Sequence, residues 1–182
     1  SPNTIQLKID SMEGFWNSSK SGEYFVGRKR GYHRAPPFDH FFTLRNEICD
    51  HLQRVGVDIK YHHHEVGTAQ LEIETQFMDA LHAADATQLV KYFIRNIAHE
   101  YGYVVTFLPK PMYNEAGNGM HVHQYLKLNG VNTFSGTRLY GLSDQALHYT
   151  AGILKHSPSL LGLTNPTTNS YRRLVPRFEA PT

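Results

Sequence analysis

Two short segments that are predicted to form neighbouring strands carry a cluster of histidines and glutamates. The segments are 62–65, with the sequence His-His-His-Glu, and 70–74, with the sequence Gln-Leu-Glu-Ile-Glu. Because side chains two residues apart on a strand share a face, His63 and Glu65 point the same way. The link between the segments is short, so we expect it to bring Glu65 and Glu72 side by side.

Two carboxylates crowded on a sheet repel each other unless a cation neutralises them. Hard oxygen ligands suit Mg²⁺ or Mn²⁺. A polar strand face with solvated acids explains the same pattern about equally well. The segments alone leave both interpretations open.

The composition predicts one soluble, globular domain over residues 1–182, with 40% hydrophobic and 19% charged residues. A formal charge of +2 is too small to indicate nucleic acid or an anionic membrane as partner. The sequence shows neither a membrane-spanning apolar run nor a signal-peptide pattern. A single cysteine, Cys49, excludes an internal disulfide and favours the cytoplasm. Because the chain starts without methionine and its last residues follow a loop, we expect an internal fragment.

Hydrophobic spacing predicts helices and strands that mix without strict alternation. We therefore expect an α+β fold with a mostly antiparallel sheet. The predicted helices are 41–55, ended by Gly56, then 80–101, ended by Gly102, and one that starts at Ser143-Asp144 and ends before Pro158. The predicted strands are 4–9, 57–66, 71–77, 103–108 and 120–128, and residues 165–182 are predicted to be loop.

Two further patterns are compatible with a ligand site, although each is weak by itself. In the first, 117–123, two glycines precede His121 and His123, which share a strand face; glycines let the backbone approach a ligand closely. The second is an arginine-rich segment, 165–179. An arginine fork binds carboxylates or phosphates, but a solvated basic loop is the commoner explanation.

Taken in order, these segments resemble bacterial type I glutamine synthetase over essentially the whole chain. Five ordered motifs make this resemblance much more specific than any one motif. The motifs are 9–17 (Ile-Asp-Ser-Met-Glu-Gly-Phe-Trp-Asn), 36–39 (Pro-Pro-Phe-Asp), 62–65, Lys110-Pro111 with the glycine-rich loop and His121, and 165–176 (Asn-Pro-Thr-Thr-Asn-Ser-Tyr-Arg-Arg-Leu-Val-Pro).

The resemblance implies a curved, largely antiparallel sheet flanked by helices, part of a single catalytic domain that is truncated at both ends. It also implies two divalent metal ions, Mg²⁺ or Mn²⁺, and ATP. By similarity, Glu65 and Glu72 match ligands of one ion and His121 matches a ligand of the second. His123 matches the residue that touches the ATP phosphates.

For the substrates, the resemblance implies that the backbone at Gly117 holds glutamate and that Arg173 binds the glutamate carboxylate. Glu179 matches the flap residue that closes the site and helps to bind and deprotonate ammonium. The implied reaction is ATP-dependent ligation of ammonia to glutamate through γ-glutamyl phosphate, in a cytoplasmic homo-oligomer expected to be a ring dodecamer. Because further ligands and a neighbouring subunit complete the family's site, we expect the 182-residue chain alone to be inactive.

Three positions depart from the family pattern: Tyr125 replaces a usual serine, Lys60 a common acidic residue and Ala116 a frequent asparagine. A related ligase that uses another amine is therefore an alternative, as is a non-catalytic subunit of the same scaffold. A metal-dependent hydrolase that activates water with the His and Glu cluster is a third alternative. It would require tight zinc and no ATP.

Overall fold

The computed structural model describes Ile9 and residues 24–176, which fall into two compact units divided after Asn118. The order of elements is α1 (Phe42–Arg54), β1 (Ile59–His64), β2 (Leu71–Thr75), α2 (Ala80–Glu100), β3 (Lys127–Leu128), β4 (Val131–Asn132), α3 (Asp144–Thr164) and α4 (Thr168–Arg173). Within these residues, β1 pairs with β2 and β3 pairs with β4, each pair as a two-stranded antiparallel sheet. The α+β prediction is confirmed, and no helix in the described part of the chain is both long and apolar enough to cross a membrane.

The core of the first unit lies between α1, α2 and the β1–β2 hairpin. Leu52 at the end of α1 and Ala98 near the end of α2 are both fully buried. Apolar residues from all four elements surround them, which fixes the hairpin against the two helices. The buried cluster consists of Leu44, Ile48, Leu52, Val57, Ala86, Ile97 and Ala98.

Helices α1 and α2 end where the sequence predicts. Gly56 and Gly102 follow the two helices with φ of +84° and +76°, a backbone conformation that side chains other than glycine adopt at a cost. Helix α2 begins after Asp79, whose carboxylate accepts hydrogen bonds from the backbone N–H groups of Leu81 and His82.

The only cysteine of the chain, Cys49, lies on α1 and is 6% exposed. Burial raises the pKa of its thiol from 9.0 to about 11, although the positive charge of Arg45 opposes the shift. A buried thiol with this pKa remains protonated at neutral pH and packs as a small apolar group.

In the second unit, the prediction that the third helix ends before Pro158 is wrong. Helix α3 continues through Pro158 to Thr164. Proline has no N–H to donate to the carbonyl of Leu154, four residues earlier, and normally breaks a helix there. Here the hydroxyl of Ser157 donates to that carbonyl at 2.9 Å. The carbonyl is therefore satisfied, and the helix does not have to end.

Three other predicted boundaries differ from the structure. Residues 168–173 form α4, capped by Thr167, where the sequence suggests only loop. Residues 103–108 and 120–126 are not strands, because no ladder partner lies beside them among the described residues. The predicted strand 4–9 falls outside the described residues except for Ile9.

Candidate functional site

The β1–β2 hairpin brings the two predicted metal ligands together, and it adds a histidine. His63 on β1 is paired with Glu72 on β2, and Glu65 directly follows β1. One ligand atom from each of His63, Glu65 and Glu72 lies within 4.8 Å of the other two. The strand pattern predicts His63 and Glu65 on one face, but His63 is not among the ligands that the resemblance implies. The period of two along the strand was the signal that pointed to it.

The surroundings of His63 orient one ring nitrogen toward the carboxylates. The Nδ1 atom lies 3.0 Å from the carbonyl oxygen of His64, so it is the protonated, donating nitrogen. Nε2, the nitrogen left to face the carboxylates, lies 3.8 Å from Oε1 of Glu72. The ring stacks on that of His33, with centroids 4.4 Å apart and planes at 14°, and is 9% exposed. His63 is thus a preorganised nitrogen donor.

Glu65 is held by its own chain. Its Oε2 accepts a hydrogen bond of 2.6 Å from the backbone N–H of Val66, which restrains the carboxylate. The Glu72 side chain is 39% exposed. One imidazole nitrogen and two carboxylates at this spacing fit a divalent cation, and the predominance of carboxylate oxygen favours Mg²⁺ or Mn²⁺.

The opposite face of β1 is fixed by a buried ion pair. The Nη1 and Nη2 atoms of Arg45 donate to the Asp39 carboxylate, at 2.9 and 2.5 Å, and Nε donates to Nδ1 of His62 at 3.2 Å. The Arg45 and Asp39 side chains are 2% and 1% exposed. Burial and then the charge of Arg45 lower the pKa of His62, which keeps that ring neutral and able to accept.

The unusual residue Lys60 has a partner in the structure. Its ammonium lies 2.6 Å from Oε1 of Glu74. A hydrogen bond to Glu74, with further contributions from burial and nearby acids, raises the pKa of Tyr61 to about 12. Glu74 is therefore engaged by two neighbours and is not one of the three clustered ligand groups.

The backbone of Gly117, which the resemblance assigns to glutamate binding, is hydrogen-bonded to the turn between β1 and β2. The side-chain amide of Gln70 donates to the Gly117 carbonyl at 2.9 Å and to Oδ1 of Asn118 at 3.0 Å. Beside them, Glu115 is 2% exposed and paired with Arg28 at 2.7 Å. This glycine-rich segment is therefore anchored by several side chains.

In the second unit, Arg173 and His121 meet at Gly119. A Cβ atom on Gly119 would lie 2.5 Å from Nη2 of Arg173 and 3.3 Å from Nε2 of His121. The Nε atom of Arg173 is buried and has no hydrogen-bond partner among the described residues. A buried guanidinium N–H without an acceptor suits an anionic ligand such as a carboxylate.

His123 lies at an open groove of about 370 Å³ that α3 borders. Next to it, the hydroxyl of Tyr149 donates to the side-chain oxygen of Gln124 at 2.5 Å. The unusual Tyr125 lies beneath the ammonium of Lys127, 5.2 Å from its ring centroid. The predicted flap residue, Glu179, lies outside the described residues.

Comparison with known proteins identifies the family. Residues 5–182 match the family described as glutamine synthetase, catalytic domain. The chain belongs to this family. The resemblance of the five sequence motifs to glutamine synthetase is therefore confirmed.

Two relatives illustrate the sequence similarity. The glutamine synthetase of Salmonella typhimurium is 46% identical over 181 residues, which are 96% of this chain and 39% of that protein. The 3-hydroxylaminophenol mutase of Cupriavidus pinatubonensis is 47% identical over 181 residues, 96% of this chain and 38% of that protein. The chain therefore spans less than half of these relatives.

The fold agrees with a solved structure of the family. The cryo-electron microscopy structure of Plasmodium falciparum glutamine synthetase superposes with a TM-score of 0.83 and 33% sequence identity. The match covers 92% of this chain and 33% of the Plasmodium chain. This agreement supports the described fold as part of a glutamine synthetase catalytic domain.

Proposed function

We propose that this chain supplies part of the active site of an enzyme that ligates ammonia to glutamate at the expense of ATP. The observation that supports the proposal is the convergence of His63, Glu65 and Glu72 within 4.8 Å in a member of the glutamine synthetase family. Such an enzyme requires a metal-binding cluster, and this one lies on the strand pair that carries the family's His-His-His-Glu motif.

In the proposed reaction, the γ-carboxylate of glutamate is first converted to γ-glutamyl phosphate, because a carboxylate is a poor acyl electrophile. Phosphoryl transfer depends on positioning and on neutralisation of charge. Glu65 and Glu72, with His63 beside them, would hold one divalent cation, and His121 would contribute to a second. Bound there, the cations would neutralise charge on the transferring phosphoryl group.

The remaining residues bind and orient the substrates. Arg173 grips the glutamate carboxylate through its unpaired guanidinium N–H, and the Gly117 backbone holds the same substrate. His123 contacts the ATP phosphates. Glu179 attracts ammonium, takes its proton and shields the acyl phosphate from water. Ammonia then displaces phosphate from the γ-carbonyl carbon, which yields glutamine.

A second candidate is ligation of glutamate to another amine. This chain is 47% identical to a mutase, a protein named for a different reaction. Identity at this level therefore does not specify the reaction. Lys60 and Tyr125 also differ from the family pattern, and Lys60 forms an ion pair with Glu74. The carboxylate-activating residues are shared by both candidates, so only the acceptor distinguishes them. A non-catalytic subunit would retain the fold without turnover.

The decisive experiment is an assay of the complete gene product with glutamate, ATP, Mg²⁺ or Mn²⁺, and either ammonium or a series of alkylamines. The proposal predicts ADP release and glutamine formation that depend on ammonium and on the metal. Faster turnover with an alkylamine would establish the second candidate, and no ADP release with any amine would contradict both. Assayed alone, the 182-residue chain is expected to form no glutamine.

The proposal also covers the oligomeric state and the cellular compartment of the complete gene product. We expect the complete gene product to form a homo-oligomeric ring, a dodecamer by resemblance, in the cytoplasm. Analytical ultracentrifugation with electron microscopy would count the subunits, and fractionation of the producing cells would place the protein.

A further inference from the structure

Gln70 uses every polar atom it has, and its contacts join two segments that are 47 residues apart in sequence. Its backbone N–H donates to the carbonyl of Gly67 at 3.1 Å, and its backbone carbonyl accepts from Glu65 at 2.8 Å. Its side-chain Oε1 accepts from the N–H of Gly67 at 3.0 Å. These three bonds close the turn that carries Glu65.

The other end of the side chain reaches the glycine-rich segment. The Gln70 amide nitrogen donates to the carbonyl of Gly117 and to Oδ1 of Asn118. Asn118 is itself fixed, because its N–H donates to Pro109 and its side-chain nitrogen donates to Leu108, both at 2.8 Å. Since Oε1 faces a donor and Nε2 faces two acceptors, only one orientation of the amide satisfies all partners.

We infer that Gln70 is a positioning residue that fixes the Gly117 carbonyl against the turn that joins Glu65 to β2, the strand of Glu72. The inference rests on the proposed function, in which Gly117 holds glutamate and the two glutamates hold a cation. Through one amide group, the turn and the glycine-rich segment cannot move independently. Cation binding at the turn therefore alters the environment of Gly117, and binding at Gly117 affects the turn in return.

The first test measures backbone amide exchange by NMR in the metal-free chain. The variant Gln70→Glu keeps the oxygen that accepts from Gly67 but loses both side-chain donor bonds to the glycine-rich segment. We expect exchange of the Asn118 amide to become roughly tenfold faster, as the loss of two hydrogen bonds implies. The amides of Glu65 and Gly67 keep their acceptors and should change less than about twofold on the same scale.

The variant Gln70→Met is the matched control, because it removes the side-chain acceptor as well. Faster exchange is then expected at both Gly67 and Asn118. An unchanged Asn118 amide in both variants would overturn the inference. So would equal acceleration throughout α2, since that pattern indicates general loosening and not the release of one segment.

The second test adds Mg²⁺ and follows the amide signals of Glu65, Gly117 and Asn118. The inference predicts saturable shifts at all three in the unsubstituted chain, and at Glu65 alone in Gln70→Glu. Shifts at Glu65 that never reach Gly117 would refute the coupling. If Mg²⁺ produces no shift at Glu65, the cluster of His63, Glu65 and Glu72 does not bind the cation in this chain, and the exchange rates still decide the role of Gln70.

Discussion

Gly119 and Arg173 approach so closely that the Cβ atom of any other residue at position 119 would lie 2.5 Å from Nη2 of Arg173. The contacted atom is the far end of a flexible side chain. An added methyl group therefore displaces the guanidinium without disrupting the backbone. The absence of a side chain at Gly119 therefore leaves room for the guanidinium of Arg173, which is proposed to bind the glutamate carboxylate.

Replacing Gly119 with alanine is expected to weaken glutamate binding while preserving the fold. In the complete gene product, the Michaelis constant for glutamate should rise at least about tenfold, because a displaced guanidinium loses charge-assisted hydrogen bonds. The constant for ATP should change little. Steady-state kinetics with each substrate varied in turn would measure both constants.

Gly152→Ala is the matched control for this substitution. Gly152 lies in α3, and a Cβ atom there meets nothing within 4 Å. Alanine is the better helix former, so this variant should be equally active and slightly more stable. If Gly119→Ala leaves the glutamate constant at the level of the control, the proposed role of the Gly119–Arg173 contact is incorrect.

Removing the charge of Glu65 or Glu72 should weaken cation binding. We expect Glu65→Gln and Glu72→Gln each to raise the dissociation constant for Mn²⁺ by about tenfold or more, since an amide is a weaker ligand than a carboxylate. The electron paramagnetic resonance signal of free Mn²⁺ in a titration reports this constant directly.

Glu74→Gln tests whether this effect depends on position. Glu74 is on the same strand as Glu72 but is engaged by Lys60 at 2.6 Å. Its substitution should change the Mn²⁺ dissociation constant by less than about twofold relative to the unsubstituted chain. Equal weakening by all three substitutions would mean that Mn²⁺ responds to general negative charge and not to the cluster at His63.

The buried pair of Asp39 and Arg45 should be costly to break from one side. Asp39→Asn leaves the Arg45 guanidinium buried without its counter-charge, which typically costs about 3–5 kcal/mol of unfolding free energy. Urea denaturation followed by circular dichroism would measure the loss. The exposed pair of Asp144 and Arg138 provides the comparison: Asp144→Asn should cost less than about 1 kcal/mol. Similar losses in the two variants would contradict the importance of burial.

Cys49 should make stability depend on alkaline pH. Its folded-state pKa of about 11 exceeds the ordinary 9.0, so the unfolded chain releases the thiol proton first as the pH rises. The associated stability is present below pH 9 and is lost progressively up to about pH 11, by roughly 2 kcal/mol. Tyrosines titrate in the same range, so the informative quantity is the difference between the original chain and Cys49→Ala. Parallel curves of unfolding free energy against pH for the two proteins would contradict the burial effect.

The sequence predicts the features that depend on local chemistry. Helices α1 and α2 are recognisable because their apolar spacing ends at glycines that adopt positive φ. The alternation around His63 and Glu72 likewise predicts paired strands, since residues two apart share a face.

Features that depend on a specific partner are not predictable in the same way. The continuation of α3 through Pro158 requires the Ser157 hydroxyl to replace a missing donor, and nothing in the residue types dictates that rotamer. Gln70 is an ordinary polar residue in a short link, and its role emerges only when Gly117 is placed beside it. A strand at 103–108 has the right residues, but a strand forms only against a neighbour.

The burial of Cys49 also makes the chain a convenient background for labelling. Because the only native thiol is protonated and 6% exposed, a cysteine introduced at an exposed position would be the one that maleimide reagents modify. A spin label or fluorophore can then be attached at an exposed position near Glu65 without replacing Cys49. Distances from such a probe to bound Mn²⁺ would locate the cation by a route independent of turnover.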